Sequence, residues 1–309
     1  MKKQNFSLLK KLCAVHAPSG NEAAMTTFVL DYIHQHQDTW KCKPHIYAGD
    51  DFQNCVVLVF GKPSTAVYAH LDNIGFTARY NNELVKIGGP KVASGYALTG
   101  EDKLGKIDCV LEVDEETREL KAIFNRTIDP GTDLSFKMDF RESDEFIQSC
   151  YLDNRLGVWV ALQLAETMQN GAIVFSCWEE HGGGTAGYLA RFLFEKFNIR
   201  QSLICDITWV TDGVQHGKGV AVSMRDSGIP RRSYINRIRK ILDDSNFQYQ
   251  VEVESSGGSD GNEIQKLPYP IDWCFIGAPE DFVHSPDEKV HKADIASMVE
   301  VYTLLMNQL

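Results

Sequence analysis

The sequence lacks the features that would assign it to several common classes of protein. No apolar run approaches the length of about 20 residues that crosses a bilayer, and the chain has no internal repeat or low-complexity tract. Basic residues are scarce, because 31 Lys and Arg face 42 Asp and Glu, for a net charge of −11. Phosphate backbones are bound by concentrated cationic surfaces. The sequence therefore predicts neither a membrane span nor a nucleic-acid partner.

The cysteines and the N-terminus bear on the cellular compartment. The eight cysteines include no C-x-x-C pair, which argues against a thiolate zinc site. Several, such as Cys55 and Cys205, sit inside apolar runs, where a free cysteine acts as a small hydrophobic residue. Residues 1–15 lack the continuous apolar core and small-residue cleavage site of a signal peptide. These features predict a reducing, cytoplasmic location, with the acidity serving solubility.

Two kinds of sequence pattern alternate along the chain. Up to residue 73, and again from residue 149, apolar runs alternate with helical periodicity, which predicts a mixed central sheet flanked by helices. Here residues 19–22 (Ser-Gly-Asn-Glu) form a capping-box pattern, which predicts a helix start. Between residues 74 and 148, short alternating segments are separated by turn residues. We therefore predict an α/β fold with a main domain of residues 1–73 and 149–309. Residues 74–148 are predicted to form a small antiparallel β-barrel-like domain inserted in it.

Two adjacent glutamates, Glu179 and Glu180, close the apolar run 172–178. Neighbouring charges repel, and burying them costs several kcal/mol unless something compensates them. Four more polar residues lie at or just past the ends of apolar stretches: His70, Asp153, Asp206 and His284. Because open α/β sheets bind ligands at the carboxyl ends of their strands, a metal ion is the leading compensation.

The chemistry of a two-metal hydrolytic site explains this choice of residues. Such a site needs a bridging carboxylate, further nitrogen or oxygen ligands, an open position for water and a separate base. Two histidines and three carboxylates are candidate ligands: His70, Asp153, Glu180, Asp206 and His284. Glu179 is then the spare acid, and Asp72 fits the role of orienting the imidazole of His70. Taken singly, each residue has an ordinary interpretation as a core histidine, helix cap or solvated turn. Only the order and placement of the whole set favour a metal centre.

The ordered set closely resembles the di-metal aminopeptidase family that includes glutamyl aminopeptidases, deblocking aminopeptidases and tetrahedral (TET) aminopeptidases. Its A-H-x-D-x-I-G-F, L-D-N-R-x-G and E-E segments are matched here, as is H-S-x-x-E near the C-terminus. In sequence order the matching residues are 17–22, 69–76, 152–157, 179–180, 206–208, 257–261 and 283–288. The resemblance covers nearly the whole chain and is carried by motifs that together are highly specific.

The resemblance implies a metal-dependent aminopeptidase that removes N-terminal residues from short peptides by means of a water activated between two divalent metals. The implied ligand pairs are His70 with Asp206 and Glu180 with His284, with Asp153 bridging both metals. Glu179 would be the general base, with Asp72 beside the catalytic set. Zinc is the first expectation for the metal, although cobalt and manganese suit the same ligands. The inserted domain is implied to form dimers, and the protein a homo-oligomer.

Several residues depart from the family pattern or carry weaker hypotheses. The insertion is shorter than usual, residues 181–185 read His-Gly-Gly-Gly-Thr, and residues 279–282 read Pro-Glu-Asp-Phe where the family often has Arg-Tyr. Asp260, in a glycine-rich turn, is a candidate to hold the substrate amino group. His181, Glu280 and Asp281 are candidates to line the cleft.

Two other functions remain open at the level of sequence. A di-metal N-acyl amino acid deacylase or a dipeptidase would use the same ligands. A non-catalytic scaffold that kept the fold is also possible in principle, but a protein without activity usually loses at least one ligand, and here the set is complete.

Overall fold

The computed structural model describes residues 5–309, which form helices, two β-sheets and short 3₁₀ turns. The helices are α1 Ser7–Cys13, α2 Ala23–His36, α3 Leu152–Thr167, α4 Ala186–Phe197, α5 Arg232–Asp244, α6 Asp260–Gln265 and α7 Lys292–Gln308. None of the described helices is long and apolar enough to cross a membrane. The prediction that residues 1–15 are not a signal peptide falls partly on residues 1–4, outside the described part.

The strands belong to two sheets, a large one and a small one. Strands of the large sheet are β1 His45–Tyr47, β2 Val56–Phe60, β3 Ala66–His70, β10 Arg141–Glu142, β11 Phe146–Gln148, β12 Gly171–Ser176, β13 Gln201–Trp209, β14 Ala221–Ser223, β15 Gln250–Glu252, β16 Asp272–Asp281 and β17 Lys289–His291. Those of the small sheet are β4 Gly75–Ala78, β5 Leu84–Ile87, β6 Ala97–Asp102, β7 Gly105–Val113, β8 Leu120–Ile123 and β9 Asp133–Phe136.

The large sheet is mixed and has a parallel centre. Its 11 strands run in the order β1-β2-β12-β3-β13-β16-β17-β11-β10, with β14 beside β16 and β15 beside β14. Strands β12, β3, β13 and β16 are parallel neighbours. Their carboxyl ends therefore meet at one edge of the sheet, where ligand sites of open α/β sheets form. The predicted fold class is confirmed.

Helix α3 is the helix most deeply enclosed by its neighbours. It packs against β3 and β13 and also contacts α1 and α7. Its residues are apolar on almost every side, and Leu156, Val158 and Val160 are fully buried. A helix that is apolar all round is one that other elements surround. This packing holds the start of α3 against the carboxyl edge of the sheet.

The small sheet is antiparallel and nearly closed. Its order is β5-β4-β9-β6-β7-β8, and an isolated bridge between Glu83 and Lys121 brings its two edges together. Along β7 the residues alternate between exposed and inward positions, and Ile107 and Leu111 are fully buried in a core separate from that of the large sheet. This alternation is the period-2 pattern of a strand with one buried face.

The predicted insertion of residues 74–148 extends too far at its C-terminal end. The small sheet ends at Phe136, whereas β10 and β11 belong to the large sheet, in which β11 pairs with β17. Ile147 is buried in the core of the large sheet. Short strands with turn residues between them have the same local pattern in either sheet, so only their pairing distinguishes them.

The capping-box prediction at residues 19–22 was wrong. Helix α2 begins at Ala23 without a side-chain cap. Ser19 Oγ instead donates a hydrogen bond of 2.6 Å to Asp72, and Glu22 accepts from the Gly20 N–H and from the side chain of Asn54. The partner of Ser19 lies 53 residues away in sequence and connects this turn to the predicted site.

Candidate metal centre

The predicted ligands come together at the carboxyl edge of the parallel strands. His70 ends β3, Asp206 lies in the second half of β13, Glu179 and Glu180 follow β12, and His284 follows β16. Trp178, just before the glutamate pair, and His284 itself have left-handed φ values of 60° and 64°. Such values are uncommon outside glycine, and they cluster at functional sites where the surrounding structure enforces them.

Asp153 reaches the same edge because α3 approaches β13 closely. A Cβ on Gly157 would lie 2.2 Å from the carbonyl oxygen of Cys205, so only glycine fits there. The side chain of Asn154 donates a 2.9 Å hydrogen bond to that oxygen. The residue after Cys205 is Asp206, so this contact sets Asp153 beside it. The L-D-N-R-x-G segment thus provides a carboxylate and also packs α3 closely against β13.

The two oxygens of Asp153 face different histidines. Asp153 Oδ1 lies 3.2 Å from His70 Nε2, and Oδ2 lies 3.3 Å from His284 Nε2. Asp206 Oδ2 is 3.5 Å from His70 Nε2, and Glu180 Oε2 is 3.1 Å from His284 Nε2. All five predicted ligands are therefore in one cluster. They divide into two groups that share Asp153.

The cluster fits divalent cations by distance and by charge. Two ligand atoms at about 2.1 Å from a tetrahedral zinc ion lie about 3.4 Å apart, close to the separations of 3.1–3.5 Å found here. Ligand atoms of His70, Asp153 and Glu180 all lie within 4.8 Å of one another. Glu180 Oε1 is buried without a hydrogen-bond partner among the described residues. Nitrogen and oxygen donors of this kind suit zinc, cobalt and manganese.

The protonation of the cluster reflects an excess of buried acids. Burial lowers the pKa of His70, but the charges of Asp206 and Asp153 outweigh it and raise that pKa well above its usual value. Burial also lowers the pKa of His284, but Asp153 and Glu180 outweigh it and raise that pKa to about 12. Burial raises the pKa of Asp206 to about 7, and the charge of Asp153 adds to this rise. Metal binding at a cluster of this kind competes with protons.

Glu179 and Glu180 are adjacent but differ in their surroundings. The Glu180 side chain is 3% exposed and faces His284. The Glu179 side chain is 15% exposed, lines the cleft, and has its Oε2 3.9 Å from His70 Nε2. Burial raises the pKa of Glu179 well above its usual value, and the charge of Glu180 adds to this although His70 opposes it. Glu179 is therefore a carboxylate beside the cluster that faces the open cleft.

Asp72 organises one half of the cluster from behind. It is fully buried, and its Oδ1 lies 3.4 Å from His70 Nδ1. The two oxygens of Asp72 accept hydrogen bonds of 3.1 Å from the backbone N–H groups of Glu179 and Glu180. Asp72 does not line the cleft. It contacts His70 and the glutamate pair instead, which predicts a positioning role.

Glu288 does the same for the other half, and the sequence did not reveal this role. Its Oε1 accepts a 3.0 Å hydrogen bond from the backbone N–H of His284, and its Oε2 a 3.2 Å bond from that of Asp153. The residue is fully buried. Glu288 is the glutamate of the H-S-x-x-E segment, so the motif includes it. Its hydrogen-bond partners, however, depend on the tertiary structure.

Asp72→Asn and Glu288→Gln are each expected to weaken metal binding by about 10- to 100-fold. In each carboxylate, both oxygens accept a hydrogen bond from a backbone N–H. An amide has only one acceptor oxygen, so one of these N–H groups would lose its acceptor and face an NH₂ group instead. Competition with a chelating dye measures the affinity. Asp287→Asn is the matched control, because Asp287 is half-exposed and pairs with Arg141. Unchanged affinity in both variants would contradict the positioning role.

A cleft of about 790 Å³ opens on the cluster. Glu280 and Asp281 line it, as predicted. Glu280 is 1% exposed, and neither of its oxygens has a hydrogen-bond partner among the described residues. His181 does not line the cleft, because its ring nitrogen Nδ1 accepts a 2.9 Å hydrogen bond from Gly88 N–H.

Asp260, the candidate to hold the substrate amino group, is a buried acid. It is the first residue of α6, is 2% exposed, and does not line the cleft. One oxygen accepts a hydrogen bond from Ser176 Oγ in β12, and burial raises the pKa of the carboxyl to about 6. The other oxygen, Oδ1, is buried without a hydrogen-bond partner among the described residues, and a contact with the substrate amino group stays a prediction.

Known proteins resemble this chain over most of its length. The family model of the M42 glutamyl aminopeptidases matches residues 100–301. A curated protein of Acetivibrio thermocellus, named "Putative aminopeptidase", is 25% identical in an alignment 335 positions long that covers 96% of this chain and 96% of that protein. His70 and Asp72 precede the range matched by the family model, so their place in the site rests on the geometry above.

Solved aminopeptidases have the same fold. An aminopeptidase of the archaeon Desulfurococcus kamchatkensis has a TM-score of 0.86 at 20% identity, over 98% of this chain and 94% of that one. The TET1 peptidase of Pyrococcus horikoshii has a TM-score of 0.83 at 19% identity, over 98% and 99% of the two chains. The family match spans well over half of the sequence. The chain therefore belongs to the M42 glutamyl aminopeptidase family and is a metal-dependent aminopeptidase.

Proposed function

We propose that this enzyme removes the first residue of short peptides at a centre of two divalent metal ions. The observation that carries the proposal is the division of the Asp153 carboxylate between His70 and His284, at 3.2 and 3.3 Å. In this assignment Asp206 completes the group around His70, and Glu180 completes the group around His284. Asp153 belongs to both groups.

The chain's own residues supply the proton transfers. When bound, a metal pair of this kind polarises the scissile carbonyl and lowers the pKa of water. Glu179 faces the cleft beside His70, where it takes the proton of the attacking water and returns it to the leaving amine. Asp72 and Glu288 keep the ligands in place through backbone hydrogen bonds.

Zinc is the metal that we assign first. The five ligands are imidazole nitrogens and carboxylate oxygens, which zinc binds at about 2.0–2.2 Å. Cobalt and manganese accept the same donors, so metal content of protein purified without chelator decides between them. Location in the cytoplasm is part of the same proposal. All eight cysteines are free, as is usual in a reducing compartment.

A homo-oligomer is also part of the proposal. The TET1 peptidase of Pyrococcus horikoshii, a structural neighbour, assembles into a tetrahedron or an octahedral shell. The small sheet of this chain exposes apolar side chains on its outer face, including Val85, Val110 and Ile123. Single apolar residues are common at protein surfaces, so the mass in solution is the deciding observation. A monomeric mass by light scattering would contradict an oligomer.

Chelation followed by metal addition tests the central proposal. We expect EDTA-treated protein to lose hydrolysis of aminoacyl 4-methylcoumarylamides, and zinc, cobalt or manganese to restore it, because the base alone cannot activate water sufficiently. N-acetylated versions of the same substrates are the comparison. Activity on the acetylated set alone would favour the N-acyl deacylase alternative. No activity with any metal, in protein that binds none, would favour a scaffold.

A further inference from the structure

One wall of the cleft is lined by acids that the metal centre does not use. Asp226, Glu252 and Glu254 form this acidic wall, which is continuous with the cluster through β13. The lysines that line the cleft are Lys91 and Lys266. Lys266 pairs with Glu263 at 2.6 Å, so its charge is already balanced.

Two acids of this wall are buried and are hydrogen-bonded only by neutral groups. Glu252 and Asp226 are 4% and 7% exposed. One oxygen of Glu252 accepts from Thr208 Oγ, and one oxygen of Asp226 accepts from the Gly228 N–H. Ser223 is a second hydroxyl partner of Glu252, so the hydrogen-bond partners of both acids are neutral groups. No Lys, Arg or His nitrogen of residues 5–309 lies within 4.0 Å of either carboxylate.

No ion pair is formed by Asp226 or Glu252 among the described residues, although the charge of Arg225 lies near Asp226. Arg225 directs its Nε to the backbone oxygen of Asp226, at 3.1 Å, rather than to the carboxylate. Glu280, elsewhere in the same cleft, is 1% exposed, and its two oxygens have no hydrogen-bond partner in the described part of the chain. Buried carboxylates without a cation are costly unless a ligand supplies one. The carboxylates of Asp226 and Glu252 therefore lack a cationic partner among the described residues.

The acidic wall lies within reach of a substrate side chain. Thr208, which holds Glu252, is two residues beyond the ligand Asp206 on β13, a distance of about 7 Å at about 3.3 Å per residue. An extended lysine side chain spans on the order of 6 Å from Cα to its nitrogen, over five bonds of about 1.5 Å. A first residue with its carbonyl at the cluster can therefore place its terminal nitrogen at the wall.

We propose that the acidic wall binds the cationic side chain of a lysine or arginine at the N-terminus of the peptide. The enzyme then prefers basic first residues and rejects acidic ones, which would add a like charge to Asp226 and Glu252. This inference rests on the proposed function. It runs against the substrate that the family description names, glutamate, because charge complementarity in the cleft decides specificity.

A panel of aminoacyl 4-methylcoumarylamides tests this preference. Lysine is compared with norleucine, which has a similar chain length without the charge, and with arginine and glutamate. We expect kcat/KM for lysine to exceed that for norleucine by about tenfold or more, since hydrogen bonds to charged groups are worth roughly that factor. Glutamate should be the poorest substrate. A preference for glutamate, or equal rates for lysine and norleucine, would overturn the inference.

Two variants assign the preference to the wall. Glu252→Gln and Asp226→Asn should each reduce the lysine-to-norleucine ratio by about tenfold, while norleucine turnover reports that the enzyme is folded and active. Asp212→Asn is the control, since it removes one charge from an exposed loop outside the cleft. If the ratio is unchanged in both wall variants, the wall does not select the side chain. Loss of one metal equivalent from them would assign the wall to an inorganic cation and overturn the inference.

Direct binding separates this inference from the proposed function. Calorimetry with L-lysinamide and L-norleucinamide requires no turnover. Tighter binding of lysinamide by about tenfold, lost in Glu252→Gln, would support the wall even in a protein that hydrolyses nothing. Equal binding of the two amides would overturn the inference while leaving the metal-dependent hydrolysis standing.

Discussion

Glu179→Gln is expected to lower kcat by about 10²- to 10⁴-fold, the usual contribution of a general base, while both metals stay bound. The amide has nearly the same shape as the carboxylate but cannot accept the proton of the attacking water. Glu179 is not the closest partner of either histidine, since its Oε2 lies 3.9 Å from His70 Nε2, so the ligand set stays complete. Turnover of an aminoacyl 4-methylcoumarylamide, with metal content by mass spectrometry, measures both effects.

Glu166→Gln is the matched control for this variant. Glu166 is an exposed residue of α3, and the same change there removes the same charge without touching the cluster. Its activity should stay near that of the unmodified enzyme. Retained turnover in Glu179→Gln would remove Glu179 from the role of base. Loss of metal together with turnover would make Glu179 a ligand.

Asp153→Asn is expected to empty both metal positions and to abolish turnover. Its two oxygens are divided between the two histidine groups, and an asparagine offers one uncharged oxygen in their place. Removing a shared carboxylate therefore weakens metal binding at both positions at once, because few other ligands remain at each. Metal content after reconstitution and gel filtration should drop from about two equivalents to nearly none.

Glu180→Gln is the informative comparison, because Glu180 approaches only His284. One metal position should empty, and about one equivalent should remain with His70, Asp153 and Asp206. The different metal contents of the two variants are what a bridging role for Asp153 requires. A full equivalent retained by Asp153→Asn would show that Asp153 serves one metal only.

Much of the centre could be predicted because its chemistry is local. Glu179 and Glu180 end an apolar run, and two adjacent acids at such a place need compensation whatever surrounds them. His70 and Asp206 were predicted for a similar reason, since they end or interrupt apolar runs that become parallel strands. The carboxyl ends of parallel strands meet at one edge, so candidates far apart in sequence were expected to converge.

Predictions that depended on neighbours in space were less successful. Ser19 matched a helix-capping pattern, but its hydroxyl is bonded to Asp72. Asp260 was predicted from a glycine-rich turn, but its hydrogen bond with Ser176, 84 residues away in sequence, was not. The C-terminal limit of the insertion was misplaced because β11 pairs with β17 in the large sheet. In each case the local pattern allowed more than one partner, and tertiary packing selected among them.

The sequence by itself determined the kinds of ligand and the spare acid, because a side chain's donor atoms and charge are its own. Only the tertiary structure decided how they are shared. It gave one oxygen of Asp153 to each histidine group and turned Glu179 to the cleft. It also placed Asp72 and Glu288 behind the ligands and built the acidic wall from Asp226 and Glu252. Distances between residues distant in the chain are set by packing, which no local pattern contains.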